Sequence, residues 1–169
     1  VNAYRLIGYE SRMLNKEDFN DDTKDAGELG SGHTVTALYE IIPVGVENTY
    51  GGVDDLKYQN TKKVKPIQNN ATSNELLTVK LRYKKPDELE SKKMEVPVLA
   101  NQFSKEPSND FQFVMAVAMF GQLVRESDFK GEATYQKVID LAKSGIDNDE
   151  HGYRREFIRL AEAVNQMQK

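Results

Sequence analysis

The 169-residue sequence predicts an α+β fold: an antiparallel β-sheet or partial β-sandwich in the N-terminal half, followed by a C-terminal three-helix bundle. Apolar residues recur with a period of two before about residue 100 and with a helical period after residue 107. Strand-like segments precede helix-like ones instead of alternating with them, which favours antiparallel pairing over a parallel β/α sheet. Breakers and caps such as Pro43, Ser108 and Gly145 fall where the periodic stretches stop or start. The expected organisation is a β-rich, sandwich-like subdomain over residues 1–100 and a helical subdomain over residues 101–169.

"AYRLIGYESR" (residues 3–12) reads as the first strand. In "HTVTALYEII" (33–42), Val35, Ala37, Tyr39 and Ile41 share one face, while Leu38 and Ile42 join Thr34, Thr36 and Glu40 on the other. Apolar residues on both faces suit a more central strand, which Pro43 ends. "LKYQ" (56–59) is a short candidate pairing segment. The clearest alternation is "ELLTVKLRYKK" (75–85): Leu77, Val79, Leu81 and Tyr83 predict a buried face, and Thr78, Lys80, Arg82 and Lys84 a basic, wet one. "KMEVPVL" (93–99) reads as an edge strand, because Pro97 cannot donate to a ladder.

"PSND" (107–110) offers Ser108 or Asn109 as the cap of a helix running to about Glu126. Its apolar residues fall nearly all round the wheel, which predicts a central helix with Ala116, Ala118 and Gly121 at close approaches. A second helix is expected over residues 133–144, with Tyr135, Val138, Ile139 and Ala142 in one stripe and Gly145 as its stop. A third is expected over 152–168, its stripe being Tyr153, Phe157, Leu160, Val164 and Met167, with Arg154, Arg155, Arg159 and Glu162 facing away.

Composition excludes several chemistries. With no cysteine there is no disulfide framework, thiolate metal site or cysteine nucleophile. A net charge of -4 argues against nucleic acid or an anionic membrane as the partner and points to protein. The longest apolar stretch, residues 111–124, falls short of the ~20 residues that span a bilayer. The opening "VNAYRL" lacks an initiator Met and a signal-like segment, so the chain reads as a piece of a longer protein.

Residues 17–28 hold six carboxylates and run into Gly27, Gly30, Gly32 and His33. As a calcium loop, Asp18, Asn20 and Asp22 are correctly spaced, but Thr23 replaces the required Gly and Leu29 the bidentate Glu. A second stretch, "DNDEHGYRREFI", offers Asp147, Asp149, His151 and Gly152 but ends on Ile158. The glycines are spaced GxxGxG and precede a strand, which is not a phosphate cradle. Ser31 lacks the flanking glycines of a nucleophile elbow, since Leu29 and His33 stand there. His33 and His151 begin secondary-structure elements and read as structural. No catalytic residue, metal ligand or cofactor is assigned.

What remains is a glycine-ended acidic connection, with Asp18, Asp21, Asp22, Asp25 and Glu28 as a candidate docking surface. Its basic counterpart is either Lys80, Arg82, Lys84 and Lys85 or the loop residues Lys57, Lys62, Lys63 and Lys65. Residues 44–75 form a polar connection too long for an ordinary hairpin.

"YRLIGYESRMLNKEDFNDDTKDAGELGSGHTVTALYEIIP", "LKYQ", "ELLTVKLRYKKP", "FQFVMAVAMFGQLVRES" and "GYRREFIRLAEAV" together resemble the C-terminal domain of bacterial YfbK-type von Willebrand factor type A proteins. The resemblance spans nearly the whole chain and is most specific over residues 4–43. It implies an upstream envelope signal, often of lipoprotein type, a short N-terminal domain, an adjacent von Willebrand A domain and a cell-envelope location. The A-domain metal motif D-x-S-x-S does not occur in this chain, so the resemblance places that metal upstream. By analogy with A domains inserted into β-sandwiches, the strands here would form part of a sandwich, with residues 44–75 meeting upstream segments. The function expected is a non-catalytic interaction and scaffold domain that supports the A domain. The alternative is an envelope hydrolase or metal-binding module using the acidic loop 17–33 with His33 or His151. A third reading, carbohydrate binding, would rest on Tyr50 and Tyr58.

Overall fold

The computed structural model describes residues 1–9, 13–24, 27–46 and 74–168. Two compact units divide the chain, Val1–Phe103 and Ser104–Lys169. The architecture is α+β, with antiparallel strands in the first half and three helices in the second. The "LKYQ" segment, Tyr50, Tyr58 and most of the long polar connection lie outside the described residues.

The strands form two separate two-stranded ribbons. β1 (Ala3–Ile7) pairs antiparallel with β2 (Leu38–Ile42), and β3 (Glu75–Tyr83) with β4 (Lys92–Leu99). β1 stops early because Gly8 and Tyr9 both take the left-handed conformation, at φ 78° and 56°. β2 occupies only the second half of its predicted segment, and residues 33–37 run beside no ladder. The β1–β2 register sets Arg5 opposite Glu40, and Arg5 Nε donates to Glu40 Oε2 at 3.1 Å. Pro97 lies opposite Thr78 in a ribbon with no central strand, the edge setting that its missing N–H requires.

Burial on β3 departs from the expectation. Val79, Leu81 and Tyr83 are exposed, whereas Arg82, on the face expected to be wet, is half-buried. The cause is physical: the 13–24 segment covers the guanidinium with hydrogen-bond acceptors, and a two-stranded ribbon supplies no second layer for its apolar face.

In the second unit, α1 (Asn109–Val124), α2 (Tyr135–Ser144) and α3 (Tyr153–Met167) close on one core of Ala116, Val138, Ile139, Ala142, Ile158 and Ala161. The Ser108 hydroxyl caps α1 by accepting from the Phe111 amide at 3.2 Å, and Thr134 caps α2 by accepting from Lys137 at 3.1 Å. Phe113, Phe120, Phe157 and Tyr135 meet edge to face around the core, at centroid separations of 5.4–5.9 Å.

Three helical expectations are corrected. The central helix is α2, which packs on both α1 and α3; α1 buries only Ala116 and leaves Phe111, Met115, Val117 and Val124 exposed. Gly121 is not a close approach, because a Cβ there would meet nothing within 4 Å. The tight contact is at Gly145, where a Cβ would lie 2.6 Å from the Phe113 nitrogen and 2.8 Å from the Asn109 oxygen. On α3 the buried stripe is rotated onto Ile158 and Ala161, leaving Tyr153, Leu160 and Met167 exposed. Small Ala161, in one core with the expected Ala142, lets the helices approach more closely than the larger side chains of the expected α3 stripe would.

Candidate interaction site: the acidic segment and its basic counterpart

Residues 13–24 follow the first ribbon strand and contain a 3₁₀ turn at Lys16–Asn20. Short polar side chains dominate here, and they hydrogen-bond the local backbone in preference to continuing a strand. Asp21 Oδ1 accepts from the Thr23 amide at 2.9 Å and its hydroxyl at 2.7 Å, an Asx turn that reverses the chain. The Thr23 hydroxyl and amide hold the Asp21 carboxyl below its usual range. Asp18 sits inside the 3₁₀ turn, accepting from Asn15 Nδ2 at 3.1 Å with Lys24 Nζ 3.7 Å away.

Asp22 points instead at the β3–β4 ribbon. Its Oδ1 accepts from Arg82 Nη2 at 2.8 Å, its Oδ2 from the Ser91 amide at 3.1 Å, and its backbone oxygen from Lys84 Nζ at 2.6 Å. Arg82 Nη1 also reaches Asn20 Oδ1 at 3.2 Å, and Arg82 donates to the Ser91 hydroxyl. The Ser91 hydroxyl and amide, then the Arg82 guanidinium, hold the Asp22 carboxyl at about 2. The result is a latch between sequence positions some sixty residues apart.

The structure therefore separates the five candidate acids. Asp22 is engaged by the ribbon, Asp21 is folded into its own turn, Asp18 is held in the 3₁₀ turn and Glu28 is exposed. Asp25 lies outside the described residues. Of the candidate bases, Arg82 and Lys84 meet the acidic segment; Lys80 faces Glu95 at 3.7 Å, and the Lys85 amide donates to Glu88 at 3.4 Å. Lys57, Lys62, Lys63 and Lys65 lie outside the described residues.

Both histidines have local surroundings. The His33 ring folds back on Gly30, where a Cβ would lie 2.8 Å from Nδ1, and the His33 amide donates to the Gly30 oxygen at 3.1 Å. His151 is exposed with its ring 5.7 Å from that of Tyr153. Among the described residues, no group of three or more His, Asp and Glu side chains is placed to hold a metal.

Two polar residues structure the helical unit in roles that the sequence analysis had not given them. Asp149 Oδ1 accepts from the Arg154 amide and Oδ2 from the Arg155 amide, both at 3.1 Å, so this carboxylate caps α3. Burial pushes its pKa up most strongly, but the two amides and the adjacent Arg155 and Arg154 outweigh it and the net shift is downward. Its oxygens are thus committed to a helix end, in the stretch that mimicked a calcium loop. Arg154, expected to face away, donates to the Gly145 oxygen at 2.7 Å and to Asp110, with its guanidinium carbon 5.0 Å from the centre of the Phe113 ring. An Asp shortly before a glycine at a helix start is the sequence signal that would have found this cap.

The arrangement is that of a two-unit α+β domain in which polar clips pin local segments. The chain belongs to the family described as "Uncharacterized protein YfbK, C-terminal", whose model matches residues 1–167. It is 36% identical over 165 residues to the uncharacterized protein YfbK of Escherichia coli (strain K12), an alignment covering 98% of this chain and 27% of that protein. No solved structure matches. The family expected from the sequence is the family found.

Proposed function

We propose that this domain is a non-catalytic interaction and scaffold module of a bacterial cell-envelope protein, supporting an adjacent von Willebrand factor type A domain through protein–protein contacts. One observation carries the reading. Among the described residues of the β unit no side chain is fully buried, and Tyr4, Tyr39, Leu81, Met94 and Val96 stand exposed. Apolar surface of this kind is characteristic of partner-facing elements. That the chain spans 27% of the YfbK relative supports a role inside a longer polypeptide.

In this reading the ribbons are parts of a β-sandwich completed by upstream strands, and an upstream lipoprotein signal sets the location. Asp18, Asp21, Asp25 and Glu28 supply the acidic docking surface, while Asp22 holds the segment in place. The partner is protein, since a net charge of -4 opposes nucleic acid, and among the described residues no helix is long and apolar enough to cross a membrane. The test is to delete this domain from the full-length protein and follow thermal unfolding of the remainder. A melting temperature lowered by several degrees is expected; an unchanged one removes the scaffold role.

A further inference from the structure

The β3–β4 register sets Leu77 opposite Val98, Val79 opposite Val96 and Leu81 opposite Met94. Cross-strand partners share a face, so with Tyr83 these seven side chains make one apolar surface, bounded at one end by Lys92, which lies opposite Tyr83 and pairs with Glu88 at 2.8 Å. Five of them, Val79, Leu81, Tyr83, Met94 and Val96, are between 40% and 49% exposed. The reverse face carries Lys80 opposite Glu95 and Arg82 opposite Lys93, and its groups have partners: Arg82 has Asp22 and Ser91, and Glu95 has Lys93 at 2.6 Å and Lys80. The ribbon therefore has a satisfied polar side and an open apolar one, whereas an antiparallel sheet ordinarily keeps only its polar side wet. Two strands alone are marginal, and the missing contribution is a second layer on the apolar side.

We propose that this face is the docking surface for the polypeptide that precedes the domain in the full-length protein, covered there by an apolar strand or helix face of that upstream segment. The inference rests on the scaffold reading above and names the surface through which it acts. Two observations select the occupant. The chain matches a family defined as the C-terminal part of YfbK and spans 27% of its relative, so most of such a protein lies upstream. Apart from the Tyr83 hydroxyl and, at one end, Lys92, which Glu88 already holds, the described side chains of this face carry no charge or hydrogen-bond donor, so a polar or charged partner would be desolvated over most of it without compensation.

The sequence has no cysteine, so Leu81→Cys and Met94→Cys each place a single thiol of this domain on the apolar face, on different strands. Lys80→Cys places one on the reverse face as the control. Maleimide labelling under native conditions, read at each site by peptide mass spectrometry, is compared between the full-length protein and the 169-residue chain. Positions 81 and 94 are expected to react about tenfold more slowly in the full-length protein, with position 80 reacting alike in both. Equal rates at 81 and 94 in the two forms overturn the proposal. So does protection in the 169-residue chain that rises with its concentration, which would assign the face to a second copy. Equal rates combined with a destabilised remainder in the deletion experiment would refute this face and keep the scaffold role. Slowed labelling with an undisturbed remainder would do the reverse.

Discussion

The helical unit and the β unit are held by different forces. In the helical unit Val138, Ala142, Ala116 and Ala161 are 0% exposed, and burying a side chain such as Val138 or Ile139 contributes about 1.5–3 kcal/mol. In the β unit the described ties are polar apart from the edge-to-face pair of Tyr4 and Tyr39, and a partly exposed ion pair such as Arg5 with Glu40 contributes about 0–1 kcal/mol. A unit closed on its own core draws its stability from that core, while a unit tied by polar clips with its apolar side open gains stability from anything that covers it. The difference teaches where this domain carries its own core and where, in the proposed reading, it receives a neighbour.

The sharpest way to break the contrast is Ile139→Ala, which should cost about 2–5 kcal/mol and unfold the helical unit preferentially. Amide exchange would then rise across residues 109–167 far more than across β3 and β4. Gly145→Ala comes next: a Cβ 2.6 Å from the Phe113 nitrogen forces α1 and the end of α2 apart, at a cost of about 1–3 kcal/mol by thermal melt. Ser108→Ala removes the α1 cap and should cost about 1 kcal/mol, read as faster exchange of the first-turn amides.

A smaller effect on global stability, confined to the β unit, is expected of Asp22→Asn. It should speed exchange in residues 13–24 and at Ser91 and leave the helical melt unchanged, whereas a lowered helical melt would contradict the division of forces. The pH dependence has a definite sign. The Asp22 carboxyl is lowered from 3.8 to about 2, so its contribution is fully present above about 3.8 and is lost as pH falls through about 2. Chemical shifts of the Ser91 amide followed down through that window would report the release. The smallest effect expected is that of calcium or magnesium against EDTA, because Asp21, Asp22 and Asp149 already spend oxygens on protein donors. A clear rise in melting temperature with either cation would overturn that account.

Much of the fold was legible because it rests on local periodicity. Period-two alternation placed β3 and β4 almost residue for residue, Gly145 was read correctly as a helix stop, and of the two caps offered for the first helix, Ser108 and Asn109, the structure uses Ser108. The family also followed from quoted segments of the chain. Less visible was the internal partner of the acidic stretch: Arg82 and Lys84 were only two of eight basic candidates, and nothing within residues 17–28 indicates which side chain some sixty positions away will meet them.

The sequence by itself determined the α+β class, the segregation of strands from helices, most helix boundaries and the lack of cysteine chemistry, because each depends on residue type and short-range spacing. Tertiary structure alone decided which helix is central, which face of α3 is buried, that Gly145 is a contact point as well as a stop, and that Arg82 is covered while Leu81 is open. The physical reason is the same in each case. Periodicity states which residues share a face, but burial depends on what another part of the chain, or another part of the full-length protein, lays against it.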